Sequence, residues 1–475
     1  MDKCRPACNH PWVIKRPFPD PLIALVFFVA TLATRIPVLS RSVLDWDESL
    51  YFLMAQQWRL GHLPYTTIWD NKPIGIYAIF AGFQAVFGDG IFAIRFATVV
   101  FVSVLAFTVF KITQELTANR QAAWLAGAAL VLCSLSNDGL SANTELFMAT
   151  FTALAVLAAL TTDRGLLVGL LLGAAFMVKY VAVFEAPVVF LLFLFRQRRA
   201  GAGLAVLLGA ALPLSATILL YAAAGRLGIW WDDSIASNFR RVDVPFTAEA
   251  LDYTFRTQLL RWGPMLLAGL AVFPAALIRR RGSEIFLAAW LLGGALGVVV
   301  AKSFYDHYFL QILPVLCVIF GWWSVGLPRP LTRVCFALVM LVLPADAAIW
   351  ALRNAAGPDV VAEVAAALKT QHPASIYVFD TQPILYALTG QTPPTRYVLP
   401  SELIGNSLPQ VAGVNAAAEV ARILATKPEF ILRRSAPSTD PSTINPAIYA
   451  QTDAVLAARY QLWRRYHGIS VYRLK

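Results

Sequence analysis

The sequence predicts an α-helical polytopic membrane protein that carries a small α/β domain at its C-terminal end. Hydrophobic residues make up 58% of the 475-residue chain and charged residues 14%, against about a quarter charged in ordinary soluble domains; the mean hydropathy is +0.62. Apolar runs that reach or approach the roughly 20 residues needed to cross a bilayer recur as far as Trp350. Beyond Trp350 short amphipathic and β-type segments replace them. The net charge of +11 lies in short Lys/Arg clusters between apolar runs, as the positive-inside rule requires. No basic stripe with interleaved aromatics occurs outside them, which argues against nucleic acid as a partner.

The tail 1–20 carries Lys3, Arg5, Lys15 and Arg16 and is assigned to the cytoplasm, so the first span, Pro21 to Leu39, runs outward with Arg35 snorkelling near its end. This run is too long for a signal-peptide core and lacks a convincing small-residue cleavage site. An external loop, 40–93, follows. Within it Ile74 to Phe87 is apolar but about fourteen residues long, which suits a helix lying at the surface. If it does not cross, Lys111, Arg120, Arg164, Arg196, Arg198, Arg199, Arg279, Arg280, Arg281, Arg329 and Arg333 all fall on the cytoplasmic side; if it crosses, all are exported. Later spans are expected at Ile94–Phe110, Ala122–Ser136, Leu146–Leu160, Leu166–Val178, Ala182–Phe195, Leu204–Ala223, Trp262–Ile278, Ile285–Ala301, Tyr308–Val325 and Leu331–Trp350. The total is about eleven for the membrane domain 21–350.

In the segment 351–475, expected to lie outside the membrane, Val360–Leu368 and Val414–Ala425 read as helices, Ile376–Phe379 and Phe430–Leu432 as strands, and Leu462–Tyr466 with Ile469–Tyr472 as a closing hairpin. No glycine-rich phosphate loop or nucleophile elbow occurs there, so support or acceptor binding is expected of it. Five cysteines are too few and too scattered for a disulfide framework. Cys133, Cys317 and Cys335 read as small core residues; Cys4, Cys8 and His10 read as tail residues with free thiols, the alternative being a metal-holding trio.

The chemistry is sought between Leu44 and Gly88, where Asp45, Asp47, Glu48, Asp70 and Lys72 crowd against the expected membrane surface. Carboxylates there are costly unless wetted, paired or used. Asp47-Glu48 stands where a helical period begins, and Asp70-Asn71-Lys72-Pro73 opens a second short helix, so two polar helix starts face each other.

The Asp-Glu loop, the later Lys-Pro, Asn143-Thr144-Glu145-Leu146 at the start of a span, Val178-Lys179-Tyr180 between two spans, and His307-Tyr308-Phe309-Leu310 before Pro314 together resemble the GT-C glycosyltransferases of family 39. These include protein mannosyltransferases and lipid A aminoarabinose transferases, and the resemblance covers Pro21 to Trp350. It implies a GT-C fold and transfer of a sugar from a polyprenyl-phosphate donor to a lipid, glycan or protein acceptor at the outer face of the inner membrane, usually with inversion. By this likeness Asp47 matches the general base or acceptor-orienting acid, Glu48 its neighbour, and Lys72 the lysine of a Lys-Pro-Pro motif. Asn71 stands where the aminoarabinose transferases carry a glutamate and Ile74 where the second proline falls, so donor-sugar specificity does not transfer; Asp70 is expected to take over the missing acid's role.

Glycosyl transfer from a phosphate needs a base for the attacking hydroxyl and cations for the departing phosphate. Asp47 is the candidate base, its alternative being a helix cap. Glu48 orients Asp47 or binds a divalent cation, and Asp45 is a solvated neighbour. Lys72, Lys179, Lys302 and His307 fall at outer ends of spans, where they either converge on the phosphate or snorkel. Arg240 and Arg241 clamp phosphate or solvate a loop. Glu145 either pairs Lys179 or Lys72 or contacts substrate, Tyr180 and Tyr308 support the site, and Trp230-Trp231 fits an interfacial belt, the alternative being an aromatic face for a sugar. The residues identify no cofactor with certainty, a divalent cation being the one option they leave open. The rival reading, a transporter or flippase of a lipid-linked sugar, predicts internal repeats and mid-membrane ionisable groups, whereas the sequence shows no convincing repeat and most of its candidate ionisable groups lie at span ends; a polysaccharide polymerase or ligase would not require the Asp-Glu loop.

Overall fold

A computed structural model describes residues 19–197, 200–240, 248–301, 304–436 and 444–475. Lys302, Arg241, Cys4, Cys8 and His10 lie outside the described residues. The first apolar run folds as α1 (Asp20–Arg35), extended by a 3-10 turn over Ile36–Val38. The external loop contains α2 (Trp46–Arg59) and α3 (Gly75–Phe87). Then follow α4 (Ile91–Thr117), α5 (Arg120–Cys133), α6 (Thr144–Thr161), α7 (Gly165–Val178), α8 (Ala186–Gln197) and α9 (Ala200–Ala223). A juxtaposed trio of short elements, α10 (Leu227–Trp230), a π-helical turn (Trp231–Ala236) and α11 (Ser237–Phe239), precedes α12 (Ala248–Arg279), α13 (Gly282–Val300) and α14 (Leu313–Ser324), the last led in by a 3-10 segment from Asp306 to Ile312.

Among the described residues eight helices are long and apolar enough to cross a membrane, and the chain is a multi-pass membrane protein. Two expected spans are shorter than a full crossing, α5 and α7 having 14 residues each. The run expected as one span at Leu331–Trp350 is divided into α15 (Arg329–Ala337), a π-helical turn (Leu338–Val342) and α16 (Ala345–Ala356). Pro344 lies at that break, where its ring cannot continue the helical ladder. The expected start of a span at Trp262 is instead a kink, φ −131°, within α12, which begins fourteen residues earlier at Ala248.

The path of the first helices is fixed by an ion pair at one end and a hydrogen bond at the other. Lys111, late in α4, lies 3.1 Å from Asp20 at the start of α1. At the other end Arg95, early in α4, donates to the Val38 carbonyl, 2.8 Å away. The two helices therefore run antiparallel, and α2 and α3 connect them on one face without a further crossing, as the charge distribution requires. Arg35 does not snorkel: it is 1% exposed and donates to Ser134 Oγ at 2.8 Å and to the Gly139 carbonyl at 3.3 Å. Two helix ends are tied there where a water-seeking side chain was expected.

Glycine recurs every fourth residue in α7, at Gly165, Gly169 and Gly173, and this stripe packs on α9. A Cβ on Gly169 would strike the Val206 carbonyl, and one on Gly209 the Leu166 carbonyl. Small residues are what allow helix backbones to approach this closely in lipid.

The C-terminal region holds α17 (Val360–Lys369), β1 (Ile376–Asp380), α18 (Ile384–Thr389), α19 (Ser401–Ile404), α20 (Leu408–Ala412), α21 (Ala416–Ala425), β2 (Phe430–Arg434), α22 (Pro446–Arg459), β3 (Tyr460–Tyr466) and β4 (Ile469–Leu474). The sheet order is β1-β2-β4-β3. β1 and β2 are parallel, with Ile376 opposite Phe430, and the antiparallel β3–β4 hairpin closes the chain. Sequence periodicity located the strands but not α22 or the short α18, α19 and α20.

Two tethers hold this domain against the loops of the membrane domain. Asp359 accepts from the Ser42 N–H at 2.8 Å, and Arg41 donates to the Pro358 carbonyl at 2.8 Å. Arg396 pairs with Asp233 and donates to the Tyr65 carbonyl at 2.6 Å, while its own carbonyl accepts from Trp69 N at 2.9 Å.

Replacing Gly169 by Val is expected to lower stability by about 1–3 kcal/mol, the usual cost of overpacking, read as an earlier thermal transition of the detergent-solubilised protein; a transition at the wild-type temperature would show that α7 and α9 do not meet as described.

Candidate active site

A cavity of about 1010 Å³ opens between the loops of the membrane domain and the C-terminal domain. Asp45, Asp47, Asp70, Lys72, Lys179, Tyr180, His307 and Tyr308 all line it. They come from four separate stretches of chain, so only the fold unites them.

The acidic turn divides its three carboxylates among different tasks. Asp45 is the N-cap of α2: its side chain accepts from Asp47 N at 3.1 Å and from Asn143 Nδ2 at 2.9 Å. It is not the solvated neighbour expected of it. Glu48 is fully buried and turns away from the cavity. It forms a two-pronged ion pair with Arg95 (Arg95 Nε to Oε2, 2.9 Å) and accepts from the N–H groups of Leu44 at 2.6 Å and Ala142 at 3.1 Å. With the Asp45 N–H at 3.3 Å, five donors saturate it, leaving a structural carboxylate in the place of the expected cation ligand. Asp47, with capping done by Asp45, is half-buried and faces the cavity; Tyr51 OH donates to it at 3.1 Å.

Burial alone would raise the Asp47 pKa, but Lys72, His307, the Tyr51 hydroxyl and Lys179 outweigh it and hold the carboxyl below its ordinary value. Asp45 moves the other way, to about 6, through burial and then the neighbouring Asp47 charge. Of the adjacent pair, Asp47 is therefore the one that keeps its negative charge as pH falls.

The second polar helix start is held from behind. Asp70 is 2% exposed and accepts from Tyr77 OH at 2.7 Å and from Asn71 N at 2.6 Å. Burial outweighs the nearby Lys72 and raises its pKa. Lys72 Nζ lies 3.8 Å from Asp70 and donates to Asn71 Oδ1 at 3.1 Å. Its carbonyl accepts from Tyr65 OH at 2.5 Å and from Ser234 Oγ at 3.3 Å, and Tyr180 OH lies 2.5 Å from the same serine. The motif lysine is thus positioned through its main chain and held at its tip by Asp70 and Asn71.

Lys179 forms an ion pair with Glu145 and sits 4.1 Å above the Tyr308 ring. Glu145, fully buried, therefore serves Lys179 and not Lys72. His307 Nδ1 lies 3.9 Å from Asp138. Arg240 is not in the cavity wall; it donates to Asp232 at 2.7 Å and to the Val411 carbonyl at 3.1 Å. Trp230 is buried against Tyr221, ring centroids 6.2 Å apart, and not in an interfacial belt; Trp231 is exposed.

Sequence reasoning missed several wall residues. Asp138 sits with Asn137 in consecutive left-handed conformations, φ 56° and 57°, inside the polar interruption Ser134–Asn143, the one local signal that could have drawn attention to it. Tyr253 and Thr254 arrive on the unexpected first turns of α12, and Trp69, Gln382, Ser401, Glu402 and Ser407 form the side nearest the C-terminal domain. Only Trp69, next to Asp70, has a sequence context that points to a site.

The sequence profile of the dolichyl-phosphate-mannose-protein mannosyltransferases matches residues 71–221. Among curated proteins none matches the chain in sequence. Solved structures match in shape: ArnT from Cupriavidus metallidurans bound to undecaprenyl phosphate has TM-score 0.66 at 11% identity over 94% of this chain and 97% of that one. The apo state of the same protein gives 0.63 at 12% identity over the same shares. The Archaeoglobus fulgidus oligosaccharyltransferase in complex with Zn and sulfate gives 0.52 at 12% identity, over 87% of this chain and 68% of that one. At these identities the likeness is one of fold: the helical membrane domain with surface helices and the appended sheet domain have the ArnT architecture.

Glu48→Gln, which leaves Arg95 buried and under-paired, is expected to destabilise the protein by about 3–5 kcal/mol, measured as thermal unfolding in detergent. Glu48→Gln combined with Arg95→Met should recover part of that loss, and failure to recover any would mean the two charges are not mutually compensating.

Proposed function

We propose that the protein is a GT-C membrane glycosyltransferase that moves a sugar from a polyprenyl-phosphate donor to a lipid, glycan or protein acceptor at the outer face of the inner membrane, with the segment 351–475 on the same side. The observation that carries this reading is the single cavity in which Asp47, relieved of capping by Asp45, faces Lys72, Lys179 and His307. The fold shared with an undecaprenyl-phosphate-bound ArnT and the mannosyltransferase profile support the donor class.

In the proposed reaction the acceptor hydroxyl enters on the Asp47 side. Its oxygen forms a bond to the anomeric carbon while the bond from that carbon to the phosphate oxygen breaks, and the hydroxyl proton passes to Asp47. The polyprenyl phosphate leaves with the electron pair, its charge met by Lys72 and by Lys179. A single displacement of this kind inverts the anomeric centre. Tyr51 fixes the direction of the Asp47 carboxylate through its hydroxyl, so part of the orientation cost is met before the substrates meet. Glu145 holds Lys179 in place through their ion pair, and Tyr308 closes one side of its ammonium group. Asp70 and Tyr180 keep Lys72 at the cavity wall through their contacts around it.

A divalent cation fits one part of this wall. Ligand atoms of Asp45, Asp138 and His307 lie within 4.8 Å of one another, and two carboxylates with an imidazole form a donor set suited to zinc or manganese. Such an ion would supply Lewis-acid stabilisation of phosphate charge. The transporter reading has less support, because the ionisable groups gather among loops at one end of the helices and not along a path between them.

Asp47→Asn should reduce transfer of radiolabelled sugar from synthetic polyprenyl-phosphate hexoses or pentoses by about 10²–10⁴-fold, the usual contribution of a positioned base, while binding of undecaprenyl phosphate persists. Transfer at the wild-type rate would remove Asp47 from this role, and movement of the lipid-linked sugar across vesicles without transfer would favour the flippase.

A further inference from the structure

Beside the main cavity lies a smaller one, of about 130 Å³, that the reaction just described does not use. It opens between the loop 135–141, Arg261 of α12, and Asp346 and Trp350 of α16, and it shares Leu44 and Asp138 with the wall of the larger cavity. Its floor is apolar: Leu135, Leu140 and Ala347 line it and pack together with Val38 and Ala351. The charged groups around that floor keep accessible surface. The side chains of Arg261 and Asp138 are 25% and 56% exposed, and Asp346 is exposed as well.

Asp346 is the anomaly. It has no hydrogen bond or ion pair among the described residues, and the side that α16 turns away from the protein is apolar, Ile349, Trp350 and Leu352 all being exposed. In a multi-pass membrane protein that side faces lipid. A carboxylate there is costly and marks a site whose partner has to be named. Arg261, across the cavity, is engaged through one nitrogen: Nη1 donates to Asn137 Oδ1 at 2.5 Å and to Asp306 at 2.6 Å. Its other two nitrogens have no partner among the described residues.

These groups restrict the ligand. A metal ion does not suit Asp346, because among the described residues the ligand atoms gathered at metal distances belong to Asp45, Asp138 and His307. A simple anion would face both Asp138 and Asp346, with Arg261 already opposed by Asp306. An organic ammonium brings three N–H donors to a carboxylate, and a phosphate a few bonds away from it answers the free guanidinium N–H groups. The lipid-facing mouth means that such a group arrives along the bilayer. Trp350, one turn beyond Asp346 on the same side of the helix, supplies a ring of the kind that sits at headgroup level.

We propose that the smaller cavity is a lipid site for a primary-amine headgroup of the phosphoethanolamine type, its ammonium on Asp346 and its phosphate on Arg261. The proposal does not rest on the transferase reading, since a bound lipid needs no reaction. The shared Leu44 and Asp138 place this headgroup next to the cavity that holds Asp47.

The test is native mass spectrometry of the full chain in detergent, titrated with phosphatidylethanolamine, phosphatidylcholine or phosphatidylglycerol of identical acyl chains. Phosphatidylethanolamine is expected to bind roughly tenfold more tightly than either of the others, the effect of one hydrogen bond to a charged group. Asp346→Asn keeps the shape and removes no internal contact, and it is expected to abolish the preference; Asp346→Glu, which keeps the charge, is expected to retain it. Equal binding of the three lipids by the wild-type protein, tighter binding of phosphatidylglycerol, or a preference that survives in Asp346→Asn overturns the proposal. Displacement of the lipid by an equal concentration of water-soluble O-phosphoethanolamine overturns the assignment to a lipid. No sugar donor is present in these measurements, so their outcome is separate from that of the transfer assay.

Discussion

The ion pair between Glu48 and Arg95 is the constraint on which the arrangement of the site depends. It joins the first turn of α2 to the start of α4, and its remaining hydrogen bonds reach the end of α1 through Val38 and the loop before α6 through Ala142. Four segments remote in sequence therefore meet at two side chains that are both at most 1% exposed. Charges so deeply buried persist only when each polar atom is answered, and here backbone groups complete what the pair leaves open.

With that junction fixed, the neighbouring carboxylates acquire their separate characters. Asp45 answers the N–H groups that a helix start leaves unpaired. Asp47, between a capping acid and an ion-paired one, has neither duty and is turned to the cavity. The chain places three acids within four positions and uses each once. Substituting one for another would fail for geometric reasons even though their chemistry is the same.

The helical membrane domain, the surface helix α3 and the mixed C-terminal sheet were legible because each depends on local composition: run length for the spans, charge asymmetry and shortness for the surface placement of α3, and short apolar runs for β1 and β2. The gathering of Asp47, Lys72, Lys179 and His307 was inferable only because all four fall at loop-facing ends of helices. The partner of Glu48 was not inferable, since Arg95 is 47 residues away in an apolar run and reads as an ordinary flanking charge. Arg35 misled for a related reason: periodicity sees a cation near a helix end but not the carbonyls of another helix waiting for it. The walls supplied by Trp69, Gln382 and Glu402 were invisible because they arise where two domains meet, and no property of either segment alone encodes that meeting. The length of α12 was underestimated because Tyr253 to Arg261 is too polar to count toward a span, although it continues the helix.

The double attachment of the C-terminal domain has a consequence for how the protein diverges from its relatives. Asp359 grips the chain just after the first helix, and Arg396 grips the turn that follows α9, so the domain is clamped at two points on opposite sides of its first strand. A part held that way, and sharing an apolar core with α2 and α3, is not free to swing as a hinged cover. It also cannot be exchanged as a free module: a transplanted sheet domain would arrive without the matching residues at Arg41–Ser42 and Asp233, and recombination that swaps it alone would yield a chimera with an ungoverned, gaping chamber.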